Sequence, residues 1–291
     1  MPRRASLGIA TLVLALAACG GDGASAPDAA LVRPTVFGGD RPATLRVPAG
    51  FDASKSYPLV VVLHGYGATG FLQESYFGIR AEVDAGRAFE IAPDGKVDST
   101  GAQFWNADPA CCDVDGTHPD DSAYIGKLID DILAVYPIDR ARVFVIGHSN
   151  GGYMAYRMAC DRPDVITAVG VLAGIVATDP ASCHPSHPLA VLHMHGTADE
   201  AVPYAMTATY PGAVGSVTRE AGYDACGATL TPGGTLDLDT AVDGAETQIS
   251  AFACPAPLAV ELWTLTGSTH IPAPTAAFEP ALWAWLNAHA R

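Results

Sequence analysis

The alternation of short apolar runs with a helical pattern constrains the fold of this chain most strongly. Apolar side chains follow Ser122 at the spacing of one helix face, and Tyr136 and Pro137 end this pattern. Asp121 or Ser122 is suited to cap the start of that helix. Runs that are apolar throughout are typical of parallel strands covered on both faces, so the sequence predicts an α/β fold. The predicted strands cover residues 58–63, 88–92, 142–146, 166–172, 189–193 and 259–264.

Two stretches do not fit this alternation. Residues 97–119 contain glycine, aspartate, proline and a pair of adjacent cysteines, and residues 211–252 are rich in glycine, threonine and aspartate. We expect both to be loops or excursions. In an α/β protein such loops leave the carboxyl ends of the strands and form the walls of the site.

The N-terminus has the organisation of an export signal. Arg3 and Arg4 precede an apolar run over residues 7–18, which is too short to span a bilayer. The Leu-Ala-Ala-Cys ending at Cys19 resembles a bacterial lipobox, although an ordinary signal peptide with an incidental cysteine would look similar. We expect a lipoprotein signal peptide over residues 1–18, a flexible tether over 19–34 that is lipidated at Cys19, and a folded domain over 35–291 outside the cytoplasm.

The charge balance excludes some partners. The chain has 16 basic and 31 acidic side chains, a formal charge of −15 at pH 7. Without residues 1–18, which hold Arg3 and Arg4 and no acid, 14 basic side chains face the same 31 acids, a charge of −17. Such a surface repels phosphates, so we expect no nucleic acid partner and no membrane contact except through a lipid on Cys19. Neutral or weakly charged substrates fit better, and the oligomeric state is left open.

The remaining cysteines favour disulfides. An even number in an exported chain is typical of oxidised pairs. These residues are Cys111, Cys112, Cys160, Cys183, Cys226 and Cys254. Adjacent Cys111 and Cys112 would form a strained ring if joined, so each is expected to reach a distant partner. The cysteines lack the short spacing of a zinc site and the aspartates of residues 113–121 lack that of a calcium loop, so we expect no metal and no cofactor.

The segment around Ser149 predicts a nucleophile on a sharp turn. It reads as an apolar strand, then Gly147-His148-Ser149-Asn150-Gly151, then a helix. A serine in that position has a strained backbone whose neighbours two positions away pass closely, and glycines relieve the crowding. The helix N-terminus then favours developing negative charge at the serine.

A serine nucleophile needs a base, and the base needs an orienting acid. Asp199 follows the strand at 189–193, and His270 follows the strand at 259–264, which is the chain order expected after the serine in this type of fold. Glu200 is the alternative acid. His193 and His195 are interpreted as structural residues near the site, and His148 as a packing or orienting residue.

The oxyanion requires two backbone donors. One is expected from Asn150, after the nucleophile, and the other from Tyr66 in the glycine-rich loop over residues 64–70. This loop lacks the Lys and following Ser/Thr of a phosphate-binding loop. Trp105 and Phe104 either line an acyl or aromatic pocket or pack in the ordinary way, and we assign Trp105 and Tyr66 to the substrate site.

Together these motifs resemble the polyhydroxybutyrate depolymerase and feruloyl esterase group of the α/β-hydrolase superfamily, near carbohydrate esterase family 1. The resemblance runs from about residue 40 to residue 290. It rests on segments 62–65, 104–106, 111–112, 120–121, 147–154, 195–199 and 267–270. It is specific for the superfamily and much less so for the substrate.

The resemblance implies a secreted serine ester hydrolase with Ser149 as nucleophile, Asp199 as acid and His270 as base. Its substrates would be small-molecule or polymeric esters of the polyhydroxyalkanoate or feruloyl type. Acetyl xylan hydrolysis, acyl transfer and peptide hydrolysis are alternatives on the same triad, and a non-catalytic binding module is an alternative of another class. The resemblance also implies a Cys226–Cys254 bond, and bonds from Cys111 and Cys112 to Cys160 and Cys183 in an unknown order.

The sequence departs from the group next to the predicted base. Where the group has Gly-Gly-Gly-His-x-Trp-Pro, this chain has Gly267-Ser-Thr-His270-Ile-Pro272. The histidine is present and the nearby aromatic residue is not. Transfer of a particular acyl preference from the group is therefore weakened.

Overall fold

A computed structural model describes residues 33–109, 111–208 and 210–291. The predicted signal peptide, Cys19 and most of the predicted tether lie outside these residues. Arg33 places its guanidinium over the ring of Phe51 and donates from Nε to the carbonyl oxygen of Val135 at 3.1 Å. The chain therefore packs on the domain two residues before the predicted boundary at residue 35.

The described chain is organised around a ten-stranded sheet with a separate two-stranded hairpin. In chain order the strands are β1 (Val36–Phe37), β2 (Ala43–Arg46), β3 (Tyr57–Leu63), β4 (Phe89–Ile91), β5 (Lys96–Val97), β6 (Gln103–Phe104), β7 (Ile138–His148), β8 (Ala168–Leu172), β9 (Ala190–Gly196), β10 (Leu230–Leu236), β11 (Thr247–Phe252) and β12 (Val260–Leu265). The large sheet has the order β1-β2-β4-β3-β7-β8-β9-β12-β11-β10, and β5 pairs with β6.

The centre of this sheet is parallel and its edges are antiparallel. Strands β4, β3, β7, β8, β9 and β12 run parallel to one another, and β4 and β12 pair with the antiparallel edge strands β2 and β11. These are the six strands predicted from the sequence, and the α/β prediction is confirmed. Their carboxyl ends meet at one edge, where an open parallel sheet binds its ligands.

Helices cover both faces of the sheet. They are α1 (Gly70–Phe77), α2 (Arg80–Asp84), α3 (Asp121–Val135), α4 (Asn150–Asp161), α5 (Gly212–Tyr223) and α6 (Phe278–Ala288), with a 3₁₀ turn at Pro180–Ser182. Apolar side chains of α3, α4 and α5 belong to one buried cluster, and those of α1 and α6 to a second on the opposite face. Within the described ranges, none of the helices has both the length and the apolar character needed to cross a membrane.

The predicted start of α3 is wrong by one position. Asp120 is its N-cap and accepts a hydrogen bond from the Ala123 N–H at 3.0 Å. Asp121 instead forms a buried ion pair with Arg41 at 2.6 Å. The helix ends before Tyr136, as its sequence pattern predicts.

The prediction that residues 211–252 form only loops or excursions is wrong, because this stretch contains α5, β10 and β11. Strand β10 lies at the edge of the sheet, and most of its residues are exposed. An exposed edge tolerates Pro232, Gly233 and Gly234, so the segment lacks the apolar alternation by which a strand is recognised. Residues 97–119 are largely irregular, apart from the hairpin strands.

The disulfides differ in part from the expected pairing. The structure joins Cys226 to Cys254, as the resemblance implies, but it joins Cys160 to Cys183 and Cys111 to Cys112. Cys160 lies in the last turn of α4, and its Cα atom is 5.6 Å from that of Cys183, an ordinary disulfide distance. Because Cys160 and Cys183 are bonded to each other, neither is available to Cys111 or Cys112, and these two adjacent cysteines are bonded to each other.

A buried acid lies in β4. Glu90 is fully buried, and neither of its carboxylate oxygens has a hydrogen-bond partner in the part of the chain that the structure describes. Arg46, opposite it in register on β2, places its Nε 2.6 Å from Glu74. Burial, with a smaller effect from Glu74, raises the pKa of Glu90 to about 8. The side chain is therefore protonated at neutral pH.

Replacing Glu90 with Gln should flatten the pH dependence of the free energy of unfolding between about pH 4.5 and 8. The unfolded carboxyl loses its proton near its ordinary pKa of 4.5, whereas the folded one keeps it to about pH 8. Glu90 by itself therefore removes up to ~1.4 kcal/mol of stability for each pH unit of increase within this window. Glutamine does not titrate, so the variant should gain on the parent protein as pH rises. Denaturant unfolding across this range measures the difference, and parallel curves would contradict the prediction.

Candidate active site

Ser149 occupies a sharp turn between β7 and α4. Its backbone has φ 53° and ψ −121°, a conformation that non-glycine residues rarely adopt. A Cβ on Gly147 would lie 2.1 Å from the carbonyl oxygen of Gly151, and a Cβ on Gly151 would lie 2.2 Å from that of Leu63. Only glycine fits at either position, which is the crowding that the sequence predicts.

Asp199 and His270 meet at the same edge of the sheet. Asp199 follows β9, His270 follows β12, and these strands are adjacent and parallel. His270 donates from Nδ1 to Oδ2 of Asp199 at 2.7 Å. The Asp199 side chain is fully buried, whereas that of His270 is 19% exposed. Glu200, the alternative acid, is exposed.

The loop that carries His270 is held by His148. The Nε2 atom of His148 lies 2.9 Å from the backbone oxygen of His270, and the two rings are 4.9 Å apart. Burial lowers the pKa of His148 to about 4. A carbonyl oxygen only accepts hydrogen bonds, so Nε2 carries the hydrogen and Nδ1 of the neutral ring does not. His148 thus orients the neighbouring loop, as its interpretation from the sequence anticipates.

The loop after β3 approaches the serine closely. A Cβ on Gly65 would lie 3.4 Å from the Cβ of Ser149. Tyr66 follows, and its hydroxyl donates to Oδ2 of Asp98 at 2.6 Å. Among the described residues the Tyr66 N–H has no hydrogen-bond partner, and the N–H of Asn150 lies in the first turn of α4, where a helix supplies no acceptor. Both groups predicted as oxyanion donors therefore lie on the elements that border Ser149.

The prediction that Trp105 lines the substrate site is wrong. Trp105 is fully buried and does not border the cavity at Ser149. Its ring N–H donates to the backbone oxygen of His64 at 3.0 Å. Its backbone N–H and C=O both bond to the side-chain amide of Asn150, at 2.7 and 2.8 Å. Trp105 therefore ties the loop after β3 to the first residue of α4, from below the site.

A cavity of about 360 Å³ opens beside Ser149 and His270. The sequence reasoning anticipated the loop with Tyr66, Ser149 and His270 at this site, and it missed Leu72, Gln73, Tyr76 and Ile271. Its lining residues are Gly65, Tyr66, Ala68, Leu72, Gln73, Tyr76, His148, Ser149, His270 and Ile271. Leu72 and Ile271 are both more than half exposed, and they border the same cavity. Their adjacency to the glycine-rich loop and to His270 was the available signal in the sequence.

Whether this site could bind a metal ion depends on how the side chains of the described residues are grouped. Over the described ranges, no three His, Cys, Asp or Glu side chains are grouped so that they could hold a metal ion. The histidines near Ser149 bond instead to backbone oxygens, to one another and to Asp199.

Comparison with known proteins relates the chain to esterases. It is 31% identical over 184 residues to a probable feruloyl esterase C from Aspergillus flavus, a match that covers 59% of this chain and 62% of that protein. It is 29% identical over 168 residues to feruloyl esterase B from Piromyces equi, covering 56% and 30%. The chain thus spans less than two thirds of the length of these curated relatives.

A solved structure agrees in fold. An acetyl xylan esterase from Aspergillus awamori matches with a TM-score of 0.58 and 18% identity, over 84% of this chain and 94% of that one. The model of the phospholipase/carboxylesterase family matches residues 51–220, which is more than half of the chain and includes β3, the serine turn and Asp199. The chain therefore belongs to the phospholipase/carboxylesterase family and has the α/β-hydrolase fold.

Proposed function

We propose that this protein is a serine carboxylic-ester hydrolase in which Ser149 is the nucleophile, His270 the general base and Asp199 the orienting acid. One observation supports this most strongly. Ser149 and His270 border the same cavity, and Nδ1 of His270 is hydrogen-bonded to Oδ2 of the buried Asp199 at 2.7 Å. The family match and the feruloyl esterase relatives support the same class of reaction.

The reaction follows from this arrangement. Nε2 of His270 takes the proton of the Ser149 hydroxyl while the serine oxygen attacks the ester carbonyl carbon. The N–H groups of Tyr66 and Asn150 stabilise the negative oxygen that forms. His270 then returns the proton to the departing alcohol, which leaves an acyl-enzyme. In the second half of the reaction His270 takes a proton from a water molecule, whose oxygen attacks the carbonyl carbon of the acyl-enzyme. The carboxylic acid is released, and His270 returns the proton to the oxygen of Ser149.

Asp199 is suited to hold the charge that develops on His270. Burial alone would raise the pKa of Asp199, but hydrogen bonds from His195, His270 and the Val202 N–H outweigh it and hold that pKa well below its usual range. Oδ2 of Asp199 accepts from His270, and Oδ1 accepts from the N–H groups of Ala201 and Val202, at 2.9 and 2.8 Å. The carboxylate is therefore ionised and fixed in orientation throughout the working pH range.

Replacing Ser149 with Ala should lower kcat for a short p-nitrophenyl ester by about a thousandfold or more, because the acyl-enzyme cannot form. Ser54→Ala, at an exposed serine, is the matched control and should keep both hydrolysis and fluorophosphonate labelling. Circular dichroism checks that both variants are folded. Hydrolysis retained by Ser149→Ala would contradict the proposal, and a parent protein that neither cleaves esters nor takes the label would favour a non-catalytic binding module.

The cavity favours an apolar acyl group over a bare acetyl group. Its walls combine the aromatic rings of Tyr66 and Tyr76 with the aliphatic side chains of Leu72 and Ile271. A volume of about 360 Å³ lies within the range of small-molecule sites. We therefore propose feruloyl, cinnamoyl or hydroxyalkanoate esters as substrates. Acetylated xylan is the alternative, and acyl transfer on the same triad would appear as a new ester when an alcohol acceptor is added.

Replacing Leu72 with Asp should lower kcat/KM for methyl ferulate by about tenfold while changing that for p-nitrophenyl acetate less than about twofold. Leu72 lines the cavity, and losing its apolar contact with a large acyl group costs about 1.4 kcal/mol or more. Phe71→Asp is the matched control, because Phe71 is exposed on the same helix and does not line the cavity. Assays with methyl ferulate, acetylated xylan and polyhydroxybutyrate side by side complete the test. An equal loss on acetate and ferulate would contradict the assignment of this wall to the acyl group.

We also propose that the mature protein is exported and anchored by a lipid on Cys19. The three disulfides within the described residues are typical of proteins from oxidising compartments and support this location. Leu16, Ala17 and Ala18 before the cysteine carry the lipobox pattern.

Replacing Cys19 with Ser in the full chain should move the protein from the membrane fraction to the soluble extracytoplasmic fraction, because the acceptor thiol is lost. Metabolic labelling with a radioactive fatty acid should mark the parent protein and not the variant. The control is Cys226→Ser, which removes a cysteine that is disulfide-bonded in the folded domain and should keep the lipid. Lipid labelling of Cys19→Ser would overturn this part of the proposal.

A further inference from the structure

Three buried side chains form a hydrogen-bonded chain that ends at the acid of the site. The hydroxyl of Tyr156, on α4, lies 2.7 Å from Nδ1 of His193. Nε2 of His193 lies 3.0 Å from Nδ1 of His195, its neighbour on the same face of β9. Nε2 of His195 lies 2.8 Å from the backbone oxygen of Val202 and 3.2 Å from Oδ2 of Asp199. Both imidazoles are fully buried.

With both imidazoles neutral, only one arrangement of hydrogens satisfies every contact. The carbonyl oxygen of Val202 and the carboxylate of Asp199 are acceptors, so Nε2 of His195 must carry its hydrogen. Its Nδ1 is then an acceptor, and Nε2 of His193 must be the donor to it. His193 in turn accepts at Nδ1 from the hydroxyl of Tyr156. Burial holds the pKa of His193 well below its ordinary value and that of Tyr156 well above it, in keeping with a neutral ring and a protonated phenol.

The end of this chain braces the turn that carries the acid. Asp199 and Val202 are already joined, because the Val202 N–H donates to Oδ1 of Asp199 at 2.8 Å. The Nε2–H of the His195 ring contacts both ends of this turn, the side chain of Asp199 and the backbone oxygen of Val202. It approaches the oxygen, Oδ2, that accepts from His270. Rotation of the carboxylate away from His270 would therefore break contacts with His195 and with two backbone N–H groups.

We infer that His195 is a positioning residue for the catalytic acid, held in one tautomer by His193 and Tyr156, and that it fixes Oδ2 of Asp199 toward His270. This inference rests on the proposed function, since it concerns the orientation of Asp199 in that reaction. His195 acts through Asp199 and does not line the cavity. An error of about 1 Å in the position of a catalytic group can lower the rate about a hundredfold, so loss of the brace should be visible in kcat.

The test compares three substitutions at residue 195 with a control on the same strand. His195→Leu removes the donor, and His195→Asn is too short to reach Asp199. His195→Gln offers an amide oxygen to His193 and an amide N–H to Asp199, which reproduces the polarity of the neutral ring without being able to carry a charge. Leu192→Ala is the control, because Leu192 is fully buried on the opposite face of β9 and its loss lowers stability without touching Asp199.

For a short p-nitrophenyl ester, His195→Leu and His195→Asn should lower kcat by about tenfold to a hundredfold with KM nearly unchanged. His195→Gln should stay within about threefold of the parent kcat. Leu192→Ala should lower the melting temperature and leave kcat within about twofold. The downfield proton resonance of the His270–Asp199 hydrogen bond should move or broaden in the Leu and Asn variants and persist in the Gln variant.

Unchanged kcat in both the Leu and Asn variants would overturn the inference, as would a loss in the Gln variant equal to that in the Leu variant. A kcat loss that only follows the melting temperature, as in Leu192→Ala, would assign His195 a structural role alone. If His195→Leu does not fold, the Asn and Gln pair decides the matter. Failure of the proposed function is recognised separately, because it would appear as an inactive parent protein or an active Ser149→Ala variant.

Discussion

The site depends on the close approach of three pieces of backbone at the carboxyl edge of the sheet. The turn after β7 crosses the first turn of α4 at Gly147 and Gly151, and α4 presses against the end of β3 at Leu63, with no room for a Cβ at either glycine. Because these segments touch backbone to backbone, the loop after β3 reaches Ser149 directly. Two N–H groups that are 84 residues apart in the chain, on Tyr66 and Asn150, thus come to border one hydroxyl.

Contacts from side chains keep that approach in register. The amide of Asn150 bonds to both backbone groups of Trp105, whose ring bonds to the oxygen of His64 at the start of the loop. The N–H of Gly95 donates to the ring of His64 at 2.9 Å. The loop after β3 is therefore anchored to α4 and to the end of β4 through buried groups. This gives Trp105 an indirect influence on the site although no substrate could touch it.

The sequence predicts the centre of the fold well and its margins poorly, for a physical reason. A strand in the middle of the sheet is buried on both faces, so its composition is apolar throughout, as in β3. Strand β10 is paired on one side only and is mostly exposed, so solvent accepts Pro232 and two glycines there. Helix α5 has glycine at 212, 215 and 222, and tertiary packing of Ala213 and Val217 decides its conformation. Local patterns do not record such packing.

The same distinction separates the predictions made for the site. Ser149, Asp199 and His270 are recognisable because each follows a buried strand, and the strand order of a parallel sheet then brings them together. An aromatic residue beside a cysteine pair has the same local pattern whether it lines a cavity or lies beneath one. The buried position of Trp105 depends on its hydrogen bond with Asn150, which lies 45 positions away in the chain. Cys160 and Cys183, the expected partners of Cys111 and Cys112, are bonded to each other, and Cys111 is bonded to Cys112.

Four buried histidines surround the site, and their burial makes His270 distinct. Desolvation lowers the pKa values of His64, His148 and His193, so these rings stay neutral. His64 and His193 are hydrogen-bonded at both ring nitrogens, and His148 is bonded through Nε2 to the backbone oxygen of His270. A neutral ring that already bonds at both nitrogens has no free position for the serine proton. His270 donates from Nδ1 to Asp199, keeps Nε2 uncommitted and is partly exposed, so a positive charge formed on its ring lies beside a compensating carboxylate and next to the cavity. Exposure and hydrogen bonding therefore distinguish the base from the other histidines. Both properties depend on the fold and cannot be read from the residue type alone.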